Sequence, residues 1–214
     1  MEALAARGEF HLVLAGGSTP RLLYEALARE KHDWPQWHLW LGDERCLPVD
    51  HPDRNSRMVR ESLLGTLSSA SAHLHEITAE RGPIAAAKDY DHALANLDFF
   101  DLVLLGLGED GHTASLFPDQ NWGETSDSPA ALPVFNAPKP PPERVSLSAR
   151  RLSRARRVMF LVNGASKQDA IRRWREGENA GHLTGKAIPA SAIRPDTGCE
   201  ILLTPDSLPS GVQL

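Results

Sequence analysis

The segment Phe10-His11-Leu12-Val13-Leu14-Ala15, then Gly16-Gly17-Ser18-Thr19-Pro20, then Arg21-Leu22-Leu23-Tyr24-Glu25-Ala26-Leu27-Ala28-Arg29 reads as strand, tight turn and helix. The first run is short, apolar and flanked by glycine, which is the signature of a buried strand. Pro20 suits a first helical turn, where its missing N–H costs nothing, and Ser18 and Thr19 are capping candidates. The order recurs along the chain. His38–Leu41, Phe100–Leu105 and Val158–Val162 are strand-like, and Arg57–Leu64, Pro83–Leu97 and Ser166–Arg175 are helix-like. Arg144–Leu147 and Glu200–Thr204 are weaker strand candidates. Alternation of this kind predicts an α/β fold with a mostly parallel sheet. In such sheets ligands gather beyond the carboxyl ends of the strands, so the residues after each strand are the ones to inspect.

Composition narrows the function classes. The 214 residues suit a single domain spanning 1–214, and 41% hydrophobic with 24% charged residues fits a globular chain with a real core. No apolar run approaches the roughly 18–20 residues that span a bilayer, and no secretory leader is visible at the N-terminus. Cys46 and Cys199 stand far apart, which excludes a disulfide framework and predicts a cytoplasmic, reducing environment. A net charge of -5 argues against nucleic-acid binding driven by an overall positive field. An anionic ligand would need local cations, and no membrane or obligatory protein partner is indicated.

Gly16-Gly17-Ser18-Thr19-Pro20 combines glycines that let backbone approach a ligand with two hydroxyls and a helix N-terminus, a good phosphate cradle. It lacks the Gly-Lys-Ser/Thr of a nucleotide P-loop, and Pro20 stands where a nucleophile elbow needs glycine. An ordinary capped turn has the same appearance. After the second strand comes Gly42-Asp43-Glu44-Arg45. Three charges beyond a buried strand are costly unless they face a site, and Arg45 suits phosphate. A salt-bridged turn is the alternative.

The most telling stretch is Gly106-Leu107-Gly108-Glu109-Asp110-Gly111-His112-Thr113-Ala114-Ser115-Leu116-Phe117-Pro118. It holds a literal GxGxxG after a strand, but Pro118 arrives before the long helix that a dinucleotide site requires. What remains is a backbone nest with Asp110 and His112 close together. A histidine fixed by glycine turns beside a carboxylate can serve as general base near neutral pH. In Asn163-Gly164-Ala165-Ser166-Lys167 a lysine stands at a helix start, against the dipole, as if to meet an anion.

Other features have plainer readings. His73-Leu74-His75 can put two imidazoles on one strand face, but no third ligand has suitable spacing, so no metal is expected. The basic run Arg150–Arg157 reads as a solvated face, and Trp34, Trp37 and Trp40 as packing. Residues 121–143 are proline-rich, include Ala137-Pro138-Lys139-Pro140-Pro141-Pro142, and read as a long surface loop, either lid or connector.

Taken in order, the Gly16–Pro20 turn, Gly42–Arg45, the Gly108–Pro118 stretch and Gly164-x-x-Lys167 resemble the 6-phosphogluconolactonase family, across Phe10 to Thr204. The resemblance implies a three-layer α/β/α sandwich that hydrolyses 6-phosphogluconolactone to 6-phosphogluconate in the pentose phosphate pathway, with no cofactor or metal. It implies His112 as general base with Asp110 beside it. It implies Gly16, Gly17, Ser18, Thr19, Asp43, Arg45, Gly108, Gly111, Arg144 and Lys167 around the phosphorylated substrate. Family members carry a further βα unit before the glycine loop, which is expected to be short or missing here. Arg54 and Ser56 replace the Ser and Tyr of the family's Ser-Asn-Tyr-Arg-Met stretch, here Arg54-Asn55-Ser56-Arg57-Met58. The related glucosamine-6-phosphate deaminases place another acid after the histidine, where this chain has Thr113-Ala114-Ser115-Leu116-Phe117. A non-catalytic sugar-phosphate sensor would have no need of that histidine.

Overall fold

The computed structural model describes residues 7–67, 72–179 and 188–210. Six strands form one parallel sheet: β1 (Phe10–Leu14), β2 (Trp37–Leu41), β4 (His73–His75), β5 (Leu102–Gly106), β8 (Val158–Val162) and β9 (Cys199–Leu203), in the order β4-β2-β1-β5-β8-β9. Leu12, Val13, Leu14, Leu39, Leu41, Val103, Leu105, Val158 and Phe160 fill the sheet's core and are almost wholly removed from water. These runs are apolar throughout because a central parallel strand is covered on both faces.

The helices are α1 (Ser18–Leu27), α2 (Asn55–Ser62), α3 (Pro83–Ala93), α4 (Ala149–Ser153) and α5 (Gln168–Asn179). The chain runs outward from β1 through β2 to β4, crosses to β5, and continues outward through β8 to β9. Right-handed crossovers put the helices of the first excursion on one face and those of the second on the other, which makes three layers. The strand order reverses between β1 and β5, so the loops that follow these two strands diverge and leave a crevice.

Two sequence expectations need correction here. Ser18 and Thr19 do not cap α1, which begins at Ser18 behind an N-cap at Gly17 with no side-chain cap bond. Residues 121–143 are not all loop. They contain β6 (Ala131–Val134), which pairs antiparallel with β7 (Arg144–Leu147), and β7 pairs in turn with β3 (Asp43–Arg45) to give a second sheet, β3-β7-β6. Pro133 hid this strand, since proline usually argues against one, but β6 is an edge strand, where a missing N–H is tolerated.

His73 and His75 do share a sheet face, and they share it with His11, His38 and Trp40. Ring centroids lie 4.7 Å apart for His11–His38, 4.9 Å for His38–His73 and 3.8 Å for Trp40–His75. His38 Nδ1 and His75 Nε2 are 3.0 Å apart. Trp34, Trp37 and Trp40 are buried in the core, as packing residues should be. Burial, then the neighbouring imidazoles His38, His11 and His73, lower the His75 pKa from 6.5 to about 4, and burial followed by the His11 charge also lowers that of His38. Below pH 6.5 the unfolded chain therefore binds protons that the folded chain refuses, so stability must fall as pH drops from 6.5 towards about 4. Melting curves between pH 7 and pH 5 should show this loss, and His75→Phe, which keeps the stack on Trp40, should flatten it. Parallel curves for the two proteins would remove the cluster from the account.

Candidate active site

A cleft of about 350 Å³ opens at the carboxyl ends of β1 and β5, and its wall includes Gly16, Gly17, Asp43, Arg45, Asn55 and Gly108. His112, Thr113, Lys139, Pro140, Arg144 and Lys167 complete its polar lining. The segments that sequence reading treated separately thus meet at one place. Among the described residues, no group of three or more His, Cys, Asp or Glu is disposed to hold a metal ion.

His112 is held by its own loop. Gly108 N–H donates to His112 O at 2.8 Å, Gly111 N–H donates to Gly108 O at 3.0 Å, and Thr113 Oγ1 donates to Gly106 O at 2.9 Å. Gly111 makes the turn with φ at +88°. A side chain at Gly108 would overlap the imidazole itself. His112 Nδ1 lies 2.5 Å from Asp110 Oδ1, and the ring packs against Phe117 at a centroid distance of 4.7 Å. Partial burial raises the Asp110 pKa, but the hydrogen bond and charge of His112 outweigh it and hold the carboxyl below its usual range. A carboxylate at Nδ1 fixes that nitrogen as the donor and leaves Nε2 as the basic one. Asp110 and Gly111 do not themselves line the cleft; they shape and orient what does.

The opposite wall is a buried polar network. Asp43 Oδ2 accepts from Ser115 Oγ at 2.6 Å, and Asp43 Oδ1 accepts from Asn55 Nδ2 at 3.0 Å. Arg144 is 5% exposed, and its guanidinium donates to the carbonyls of Lys139, Pro140 and Pro141, with no carboxylate in ion-pair range among the described residues. Burial lowers its pKa, with Asp43 opposing and Arg45 assisting that shift. Arg45 reaches the carbonyl of Asp53, and Lys167 Nζ stands 4.0 Å from Glu109 Oε1.

Not every residue singled out in the sequence faces the cleft. Ser18 and Thr19 lie in the first turn of α1 outside its lining, where a helix leaves backbone N–H groups without intrahelical partners. The three charges of Asp43-Glu44-Arg45 do not all face the site, as the cost argument had required. Glu44 is fully buried and points away: it accepts from the N–H groups of Arg45, Asn55 and Ser56 and is paired with Arg54 at 3.3 Å. Burial is satisfied by hydrogen bonds instead. Sequence reading left out Lys139, Pro140, Ser115 and the docking of Asn55 against Gly16, where a side chain would collide with the amide. Only the proline run gave a signal, and it did not say which way Lys139 would face.

Chemically, the cleft offers a carboxylate-oriented imidazole, a helix N-terminus and four cations, Arg45, Lys139, Arg144 and Lys167. It suits an anionic substrate attacked by water. Comparison with known proteins agrees in kind. Residues 1–202 match the family described as glucosamine-6-phosphate isomerases/6-phosphogluconolactonase. The chain is 42% identical to the 6-phosphogluconolactonase of Synechocystis over 79% of its own length and 73% of that protein. It is 35% identical to that of Nostoc over 79% and 72%. Among solved structures, 6-phosphogluconolactonase from Thermotoga maritima superposes with a TM-score of 0.82 at 28% identity, covering 94% of this chain and 88% of that one. The Trypanosoma brucei enzyme does so at 0.80 and 29%, covering 96% and 88%.

Because Gly108 has no room for a methyl group, Gly108→Ala should push the imidazole off Asp110 while leaving the core intact. Turnover should drop by at least tenfold with the melting temperature nearly unchanged. Full turnover in a folded variant would show that the position of the ring is not set by this glycine.

Proposed function

The chain belongs to the glucosamine-6-phosphate isomerase/6-phosphogluconolactonase family, and we propose that its cleft hydrolyses 6-phosphogluconolactone to 6-phosphogluconate, a step of the pentose phosphate pathway, with His112 as general base. The observation that carries the assignment of the base is the His112–Asp110 pair at the cleft wall, 2.5 Å between Nδ1 and Oδ1. Nε2 takes a proton from water as the oxygen attacks the lactone carbonyl carbon. The tetrahedral intermediate collapses, the bond from that carbon to the ring oxygen breaks, and the proton on His112 passes to the departing oxygen. Asp110 stabilises the imidazolium between the two transfers. A δ-lactone is an activated ester, so no covalent nucleophile is needed, and a positioned base supplies a factor of typically ~10²–10⁴.

The phosphate end is assigned to the amides of the Gly16-Gly17-Ser18-Thr19 turn with Arg45 and Lys167. Arg144 reaches the substrate from the opposite wall, while Asp43 aligns Asn55 and Ser115. Holding a remote phosphate fixes the carbonyl relative to the water, and much of a catalytic barrier can be removed by such orientation. Among the described residues that line the cleft the only carboxylate is Asp43, which is already engaged by Ser115 and Asn55. The extra acid of a deaminating relative has no counterpart in Thr113-Ala114-Ser115, which favours hydrolysis over deamination. The reading is completed by action in the cytoplasm, as one domain on a free small-molecule lactone.

His112→Asn should fold and still bind the phosphorylated product, with kcat lower by about 10²–10⁴-fold. The wild-type kcat/KM should fall on the acid side as the imidazole is protonated, and the variant should lose that limb. A folded variant with normal turnover and an unchanged pH profile would move the base elsewhere.

Lys167→Ala should raise KM for the phosphorylated lactone and leave hydrolysis of unphosphorylated gluconolactone unaltered, since a contact felt equally in ground and transition states changes affinity alone. An equal loss on both lactones would mean that Lys167 does not read the phosphate.

A further inference from the structure

The basic run Arg150–Arg157 is the expected solvated face at Arg156 and Arg157, but not at Arg151. Arg151 is only 4% exposed, with its guanidinium carbon 4.0 Å above the centre of the Phe100 ring. Its hydrogen bonds go to backbone carbonyls, Nη2 to Leu97 O at 3.0 Å and Nη1 to Asp98 O at 3.2 Å. It lines a second cleft of about 400 Å³ with Arg150, Arg154, Leu94, Leu97 and Pro129. This cleft lies between the end of α3, the start of α4 and the segment leading into β5, at the amino ends of the strands. The active-site cleft lies at their carboxyl ends.

Three arginines are buried in the described residues: Arg54, Arg144 and Arg151. Arg54 is neutralised by Glu44 and Glu80 and lines neither of the two clefts. Arg144 has carbonyl partners, no carboxylate in ion-pair range, and a cleft in front of it. Arg151 follows the second pattern. Burying a charge is costly unless an opposite charge compensates it, and carbonyl dipoles with an aromatic face do so only in part. The two carboxylates in the second cleft are already engaged, Asp98 by Arg154 and Asp91 by the Ala130 N–H at 2.5 Å. Arg150 uses one donor on Ser128 O at 3.1 Å. Burial, aided by Arg154, lowers the Arg151 pKa to about 10, which leaves the charge in place at neutral pH.

We infer that this second cleft is an anion site whose arginines Arg150, Arg151 and Arg154 take the phosphate group of a small phosphorylated metabolite. Planar guanidinium forks match phosphate oxygens, and Arg150, Arg151 and Arg154 all line this cleft, Arg154 shared with Asp98. The Leu94, Leu97 and Pro129 walls leave room for a small organic body beyond the phosphate. The site is independent of the lactone reading, because it shares no residue with the first cleft.

Calorimetric titration of inorganic phosphate into the full chain tests it, using wild type, the exposed-side double variant Arg150→Gln/Arg154→Gln, and Lys167→Ala. We expect a phosphate site that survives in Lys167→Ala and weakens at least tenfold in the double variant, while the KM for the lactone in the double variant stays at the wild-type value. Phosphate binding unchanged in the double variant would overturn the proposal. So would loss of all phosphate binding in Lys167→Ala, which would place the only anion site in the first cleft. A double variant that loses phosphate and lactone affinity together would overturn it as well, the effect then being global. Repeating the titration with glycerol 3-phosphate separates the sources: tighter binding than inorganic phosphate assigns a phosphomonoester, and no gain refutes the organic part of the assignment.

Discussion

The divergence of the chain on either side of β1 and β5 is the constraint from which the site follows. Parallel strands need crossovers of one hand, and reversing the direction of winding sends the two central loops to opposite faces. The gap between them is not filled by either loop, so Gly16 and Gly106–His112 become the two lips of a crevice. A chain wound in one direction only would have brought those loops side by side over the same helix layer. The second sheet, β3-β7-β6, then closes the crevice from the side by carrying Asp43, Arg45 and Arg144 over it.

Holding charged residues at such a place requires a support that is itself charged. Glu44 has no exposure, and its oxygens take three backbone N–H groups, two of them from the start of α2 at Asn55 and Ser56. A carboxylate there opposes the positive end of the helix and replaces a side-chain cap, which α2 lacks. Arg54, immediately before α2, pairs with Glu44 and with Glu80 and also donates to Leu47 O and Ile77 O. Breaking one member of such a buried pair typically costs about 3–5 kcal/mol, because the survivor is left uncompensated. Asn55 inherits its position from this group. Its amide is fixed by Asp43 on one side and by the backbone of Gly16 on the other.

What could be read in the sequence was what is encoded locally. Strand β8 and strand β7 have the predicted bounds, β1 and β2 differ from theirs by one residue at one end, and β5 and β9 by a residue or two at both ends, most of them being short apolar runs between breakers. The Asp110–His112 relation is equally local: two residues apart, one glycine turn, and two hydrogen bonds, from the His112 backbone N–H and from its ring. The features that were missed are assembled from distant segments. Nothing in Glu44, Arg54 and Glu80 taken singly announces a shared buried site, and charge alone reads as surface. Arg151 was misread for the same reason, since the Phe100 ring and the carbonyls that bury it are supplied by the turn before β5. Strand β6 was obscured by Pro133, whose tolerance depends on edge position, a property of the sheet and not of the segment.

Two of the glycines that line the cleft show why the local signal was so strong. Gly16 and Gly108 are kept free of a side chain not by a left-handed backbone but by an occupant, Asn55 in one case and His112 in the other. Each glycine yields its Cβ space to a polar side chain, Asn55 from the start of α2 and His112 from its own loop, which thereby loses rotamer freedom before any substrate arrives. That is the structural form of preorganisation: the ordering cost of the imidazole is met during folding, so it does not have to be met again in the transition state. It also links the two halves of the crevice. Asn55 is seated on the loop after β1 and His112 on the loop after β5, and Asp43 spans the distance by bonding Asn55 with one oxygen and Ser115, three residues beyond His112, with the other. The lips of the crevice are therefore held at a fixed separation by one buried carboxylate. In the proposed function, that separation sets the distance between the phosphate end on the first lip and His112 on the second.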